Sequence, residues 1–148
     1  DSVKVVMNEL WSNSLHDLQG TKREKLAGIA MAAYQIENLH IALGLLEPYL
    51  SNDTLDDTKS IPLLKLVVSQ RTNIEIIYYF LKSFSDPLDP DNNPNYPYYS
   101  DAFGDLIAHF KKLEENNIDA HALRTNESAV KELSEKVDAI RNKITSVE

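Results

Sequence analysis

The chain has 148 residues, 43% hydrophobic and 26% charged, with a formal net charge of −8 and no cysteine. That length fits about one domain able to bury roughly 70% of its unfolded surface. The missing thiols exclude disulfides, thiolate nucleophiles and zinc ribbons. An acidic balance with scattered Lys and Arg argues against nucleic acid or an anionic membrane surface as main partner.

Ser2 to Leu18 carries Val3, Val6, Met7, Leu10, Trp11, Leu15 and Leu18, an amphipathic helical pattern. A break or sharp kink is expected at Gly20, with Thr21 capping the next helix and Glu24 in the capping-box position. Residues 1 to 20 are thus an additional N-terminal helix or a helical extension. The longest seam follows. Ile29, Ala32, Ile36, Leu39, Leu43, Leu46 and Leu50 are spaced alternately by 3 and 4, so the helix over 26–50 needs partners of similar length.

After a polar loop over 51–60, Ser60 and Pro62 are expected to open a helix over 62–84. Its seam is Leu63, Val67, Gln70, Ile74, Ile77, Leu81 and Phe84, with one polar member. The stretch 85–100 contains Pro87, Pro90, Pro94 and Pro97 and reads as a long Pro/Asn/Tyr loop. Helix resumes over 101–116, with Ser100 as cap and Phe103, Leu106, Phe110 and Leu113 as its buried face. The last helix, over 126–147, is capped by Thr125 or Asn126 and buries Val130, Leu133, Val137, Ile140, Ile144 and Val147. The whole predicts one all-α domain over 1–148, an antiparallel four-helix bundle with the N-terminal helix in addition.

Several residues invite a chemical reading. Glu37 and His40 match the E-x-x-H of di-metal bundles, but Ile36 and Leu39 hold the seam, which turns Glu37 outward and His40 to the flank. No second E-x-x-H exists, and the nearest analogue is Asp105 with His109. Asp89, Asp91, Asn93 and Asn95 alternate like a calcium loop, yet Pro94 stands where glycine is needed and Ser100 where glutamate is needed. A solvated, proline-stiffened loop is the preferred reading. No metal and no cofactor are therefore expected.

Two candidate contact sites remain. Tyr96, Tyr98 and Tyr99 offer amphipathic area for a partner, or else fold back over the end of the bundle. Gln70, Arg71 and Asn73 place polar groups midway along an apolar helix, where they fix register or meet a ligand. The chain lacks the arginine-then-histidine pair of HEPN-type ribonucleases, and it has no nucleophile elbow or phosphate-binding glycine loop. A non-enzymatic role is expected. Asn52 and Asn126 open short glycosylation patterns of the kind that arise by chance.

In its heptad-like seams over Ile29–Leu50, Leu63–Phe84 and Val130–Val147, and in its acidic cysteine-free composition, the chain resembles extracytoplasmic four-helix-bundle domains of membrane-anchored bacterial proteins, including sensor domains of chemoreceptors and histidine kinases. The resemblance implies a domain that binds or senses a ligand or protein partner outside the membrane, with its anchor beyond this chain, and it is compatible with a homodimer. The alternatives are a soluble intracellular interaction bundle and a metal-binding bundle centred on His40.

Overall fold

The computed structural model describes residues 22–50, 57–84, 95–115 and 122–146. Ser2 to Leu18, the break at Gly20 and the Asp89, Asp91 and Asn93 positions lie outside them. Five helices follow one another: α1 (Lys22–Leu50), α2 (Asp57–Ser69), α3 (Arg71–Ser83), α4 (Asn95–Glu115) and α5 (Ala122–Thr145). Among the described residues no strand occurs.

The expected seams form the core. Ala32, Ile36, Leu39, Leu43 and Leu46 of α1 are buried with Ile74, Ile77 and Leu81 of α3, Phe103, Leu106, Phe110 and Leu113 of α4, and Val130, Leu133, Val137 and Ile140 of α5. From α2 the buried pair is Leu64 and Val67, while the expected Leu63 is only half-buried. Contacts run from α1 to α2 and α3, from α3 to α4, from α4 to α5, and from α5 back to α1. At Gly28 the backbone of α1 lies close to a side chain of α3. A methyl group there would lie 2.5 Å from the Phe80 ring, a distance only glycine accommodates.

Three helix boundaries differ from expectation. α2 begins at Asp57, so Ser60 lies inside the helix as a buried residue rather than at its cap. Pro62 is then the sixth helical residue, two places past the four N-terminal positions where a missing N–H costs nothing. α4 begins at Asn95, so the tyrosines belong to its first turns and not to a loop. Pro97 is its third residue, and the first four helical N–H groups have no intrahelical acceptor to lose. α5 starts at Ala122, which places Thr125 and Asn126 inside the helix.

The single helix expected over 62–84 is interrupted at Gln70. Its backbone N–H donates to Val67 O at 3.0 Å, an i to i−3 bond that tightens one turn. Leu66 O thereby loses its usual α-helical donor. Ser69 Oγ, at 2.7 Å, and Gln70 Nε2, at 3.3 Å, donate to it instead. The chain continues into α3 at once, with Ile74 N–H donating to Gln70 O at 3.1 Å.

Candidate functional site

The polar group at the α2/α3 interruption is knitted to α1. Gln35 is buried and its Nε2 donates to Gln70 Oε1 at 2.9 Å; Asn73 Nδ2 also reaches that oxygen, at 3.4 Å. Arg71 Nε donates to Glu75 Oε1 at 2.9 Å, one turn further along its own helix. Gln70, Arg71 and Asn73 thus lie together, and the bond from Gln35 to Gln70 links α1 to the break. Gln35 was not singled out from sequence. Its signal was an amide three residues after Ala32 and four before Leu39, at the edge of the seam.

The tyrosines divide. Tyr96 and Tyr99 are buried, and only Tyr98 stands out at 40% exposure. Tyr96 donates its hydroxyl to Lys25 O of α1, and its ring meets Phe84 edge-on at 6.1 Å. Burial pushes the Tyr96 phenol up to about 12. Burial also raises Tyr99, helped by its neighbour Tyr98. Two of the three therefore cover the core, which leaves Tyr98 as the one presented to solvent.

Glu37 and His40 are not a bare outer pair. Arg141 of α5 holds Glu37 with both ends of its fork, at 2.7 and 3.3 Å, and this bond keeps the Glu37 carboxyl below its ordinary value. His40 Nδ1 lies 2.8 Å from Asp138 Oδ1, and since a carboxylate only accepts, that nitrogen carries the proton. His109 is buried; its Nε2 donates to Ala129 O at 2.7 Å, with Glu132 at 3.8 Å. Asp105 approaches Lys136 at 3.9 Å instead of joining His109. Among the described residues no three His, Asp or Glu groups converge to hold a metal ion. Asn126 is fully buried in α5, so that glycosylation pattern offers no acceptor in the folded chain.

A cavity of about 260 Å³ lies between α1 and α5, lined by Leu43, Glu47, Leu50, Val130, Lys131 and Ser134. Ligand clefts generally start near 300 Å³. The larger feature is a surface. Leu26 (68% exposed), Ala30, Tyr34 (50%), Ile41 (54%) and Leu45 (54%) follow one another along the side of α1 opposite its core seam. They are spaced 4, 4, 7 and 4, so they share one face. On the adjoining α3, Ile76 and Tyr79 are exposed as well. An apolar residue set of this kind on a continuous face is unusual for a helix whose other side is already in the core. It also makes the stretch Arg23–Leu50 long and apolar enough to cross a membrane by length and composition, although the seam side of that stretch is packed in the core.

No family model matches the chain, and no curated protein or solved structure matches it either.

Proposed function

We propose that the chain is an antiparallel four-helix bundle, with α2 and α3 forming one bent rod, that has no catalytic role and works by binding a protein partner through the outer face of α1. The antiparallel arrangement is supported by contacts whose residue numbers run oppositely on neighbouring rods. Glu37 meets Arg141 and His40 meets Asp138; His109 meets Ala129 and Asp105 meets Lys136. Phe84 meets Tyr96 while Tyr78 lies beside Gly104, and Gly28 lies by Phe80 while Gln35 meets Gln70.

The observation that carries the partner-binding reading is the half-exposed line of Leu26, Tyr34, Ile41 and Leu45. Apolar surface gains about 25 cal/mol per Å² on leaving water, so a partner covering this face would bind through it. In this reading binding acts on α1, and a shift of α1 would be felt by α3 at Gly28–Phe80 and by the break at Gln35–Gln70. The extracytoplasmic, anchored setting implied by the resemblance belongs to the same proposal.

The test compares proteins captured by the immobilised chain with those captured by an Ile41→Glu, Leu45→Glu variant of equal helical content. Proteins retained by the wild type and lost by the variant are the expected result. Identical sets from both would overturn the reading.

A further inference from the structure

The polar contacts that join α1 to α5 share one register. Arg141 stands beside Glu37 at 2.7 Å, and Asp138 beside His40 at 2.8 Å. Carried along both helices, the same register sets Glu47 beside Lys131, again an acid opposite a base. Among the described residues no bond joins these two. Lys131 turns instead to Glu127, one turn back on its own helix, at 2.5 Å, and Glu47 has no described partner. The cavity of about 260 Å³ opens at this point, with Glu47 on its α1 side and Lys131 and Ser134 on its α5 side. Its origin is local. The neighbouring positions in that register are Gly44 and Ser134, and a Cβ built at Gly44 would have nothing within 4 Å, so small side chains leave the groove between the helices unfilled.

We propose that this cavity binds a small primary ammonium ion with an apolar body, held at the Glu47 carboxylate. The walls take the body: Leu43 and Leu50 come from α1 and Val130 from α5. The lining chooses the charge. Lys131 is already matched by Glu127, so the unmatched charge is the carboxylate of Glu47. An ammonium group has three N–H donors, which Glu47, the Ser134 hydroxyl oxygen and water can accept. A carboxylate ligand would instead have to draw Lys131 away from Glu127 and would then lie beside Glu47, which repels it. The net charge of −8 draws cations to the chain as a whole.

Volume sets the size of the ligand. At about 30 Å³ for a water-sized group, the cavity has room for about nine non-hydrogen atoms. Exposure sets the strength. Glu47 is exposed, so water and salt weaken its hold, and a dissociation constant on the order of 1 mM is expected. The site is separate from the partner-binding face, because residue 47 lies about 200° around the helix from Leu45. The inference therefore does not rest on the partner-binding reading. A ligand here touches α1 and α5 together, and by binding the folded chain it should raise the melting temperature.

Phenethylamine, which has about the expected number of atoms, is the probe. Titrated at constant ionic strength into the isotope-labelled full chain, it is expected to cause saturable amide NMR shifts centred on Glu47, Val130 and Ser134. Phenethyl alcohol, of the same shape without the charge, should bind about fivefold more weakly. Glu47→Gln should weaken the amine by a similar factor and leave the alcohol unchanged. Ser134→Leu, which fills the cavity, should abolish binding of both while the chain stays helical. The Ile41→Glu, Leu45→Glu variant should bind the amine as the unaltered chain does.

An absence of saturable shifts at about 50 mM amine would overturn the proposal outright. Equal binding of amine and alcohol, or an unchanged affinity in Glu47→Gln, would show that Glu47 holds no cation there. Binding of phenylacetate in preference to the amine would overturn it in favour of an anion site at Lys131. Binding of phenylalanine without binding of the amine would overturn it in favour of a zwitterion held by both sides. Shifts retained in Ser134→Leu would place the amine outside this cavity. Each of these results leaves the capture comparison untouched, since that comparison reads the opposite side of α1.

Discussion

The contact between α1 and α5 and the contact between α3 and α4 are both helix against helix, yet they are made of different material. α1 and α5 meet through aliphatic seams rimmed by the Glu37–Arg141 ion pair and the His40–Asp138 hydrogen bond, whose side chains are more than a third exposed. α3 and α4 meet through rings: Tyr78 lies against Gly104, and Phe84 packs edge-on against Tyr96. Exposed charge pairs add little net stability, because water and salt screen them and long side chains lose freedom in making them. Rings packed in the interior contribute through area and shape. The first contact is thus aligned by charge, and the second is held by volume.

The largest test of this contrast removes volume. Phe103→Ala in α4 should cost about 3–5 kcal/mol in denaturant melts, by loss of transfer energy and opening of a cavity. Leu39→Ala, its counterpart on the α1 seam, should cost about 2–5 kcal/mol. A loss below about 1 kcal/mol in either would show that residue to lie outside a tightly packed core.

Next comes the link between α1 and the α2/α3 break. Gln70→Leu removes the acceptor for the buried Gln35 amide and should cost about 1–3 kcal/mol. Replacing both glutamines with leucine should recover most of that loss, since a pair of apolar groups leaves no amide unmet. A double variant no better than the single would show that the two side chains act separately.

Tyr96→Phe should cost about 0.5–1.5 kcal/mol, the worth of one hydrogen bond, here to Lys25 O. It should also change the alkaline limb. The phenol is pushed up from 10.0 to about 12 in the folded chain, so its contribution is complete below pH 10 and is lost as the pH rises toward about 12. Unfolding curves recorded across that window should be flatter for the phenylalanine variant.

The smallest effect is expected at the charged rim. The bond from Arg141 lowers the Glu37 pKa below 4.5, so its contribution is present above that pH and is lost as the pH falls through the depressed value. Glu37→Gln should flatten the acid limb slightly and change the melting temperature less in high salt than in low salt. An effect that persists undiminished in 1 M salt would contradict a solvent-screened pair.

Much of this architecture can be read from spacing alone. The alternation of 3 and 4 in Ala32, Ile36, Leu39, Leu43 and Leu46 identifies their common buried face because that periodicity belongs to the helix itself. The start of α4 could not be read in the same way. Pro97 argues against helix by composition, and only its position in the first turn makes it harmless. Gln70 occupied a seam position, but the i to i−3 bond that breaks the rod there depends on the backbone path. The partners of Glu37, His40 and Gln35 lie 104, 98 and 35 residues away, and no local pattern points to them. The exposed face of α1 had a sequence signal in Leu26, Tyr34, Ile41 and Leu45, which the stronger seam on the other side of the helix obscured.

Those same separations also set an order in time. Phe84 finds Tyr96 across 12 residues, whereas Arg141 finds Glu37 across 104. Closing the longer loop costs about 2 kcal/mol more chain entropy than closing the shorter one. The ring-packed pair should therefore assemble early, and the charge-rimmed pair should close the domain last. In a chain made from its N-terminus, α1 is the first of these helices to be synthesised and the last to be fully covered, because α5, which completes its packing, is the last of the five. During that interval the seam side of α1 is covered only by α2 and α3, so the Glu37–Arg141 contact reports a late step of folding.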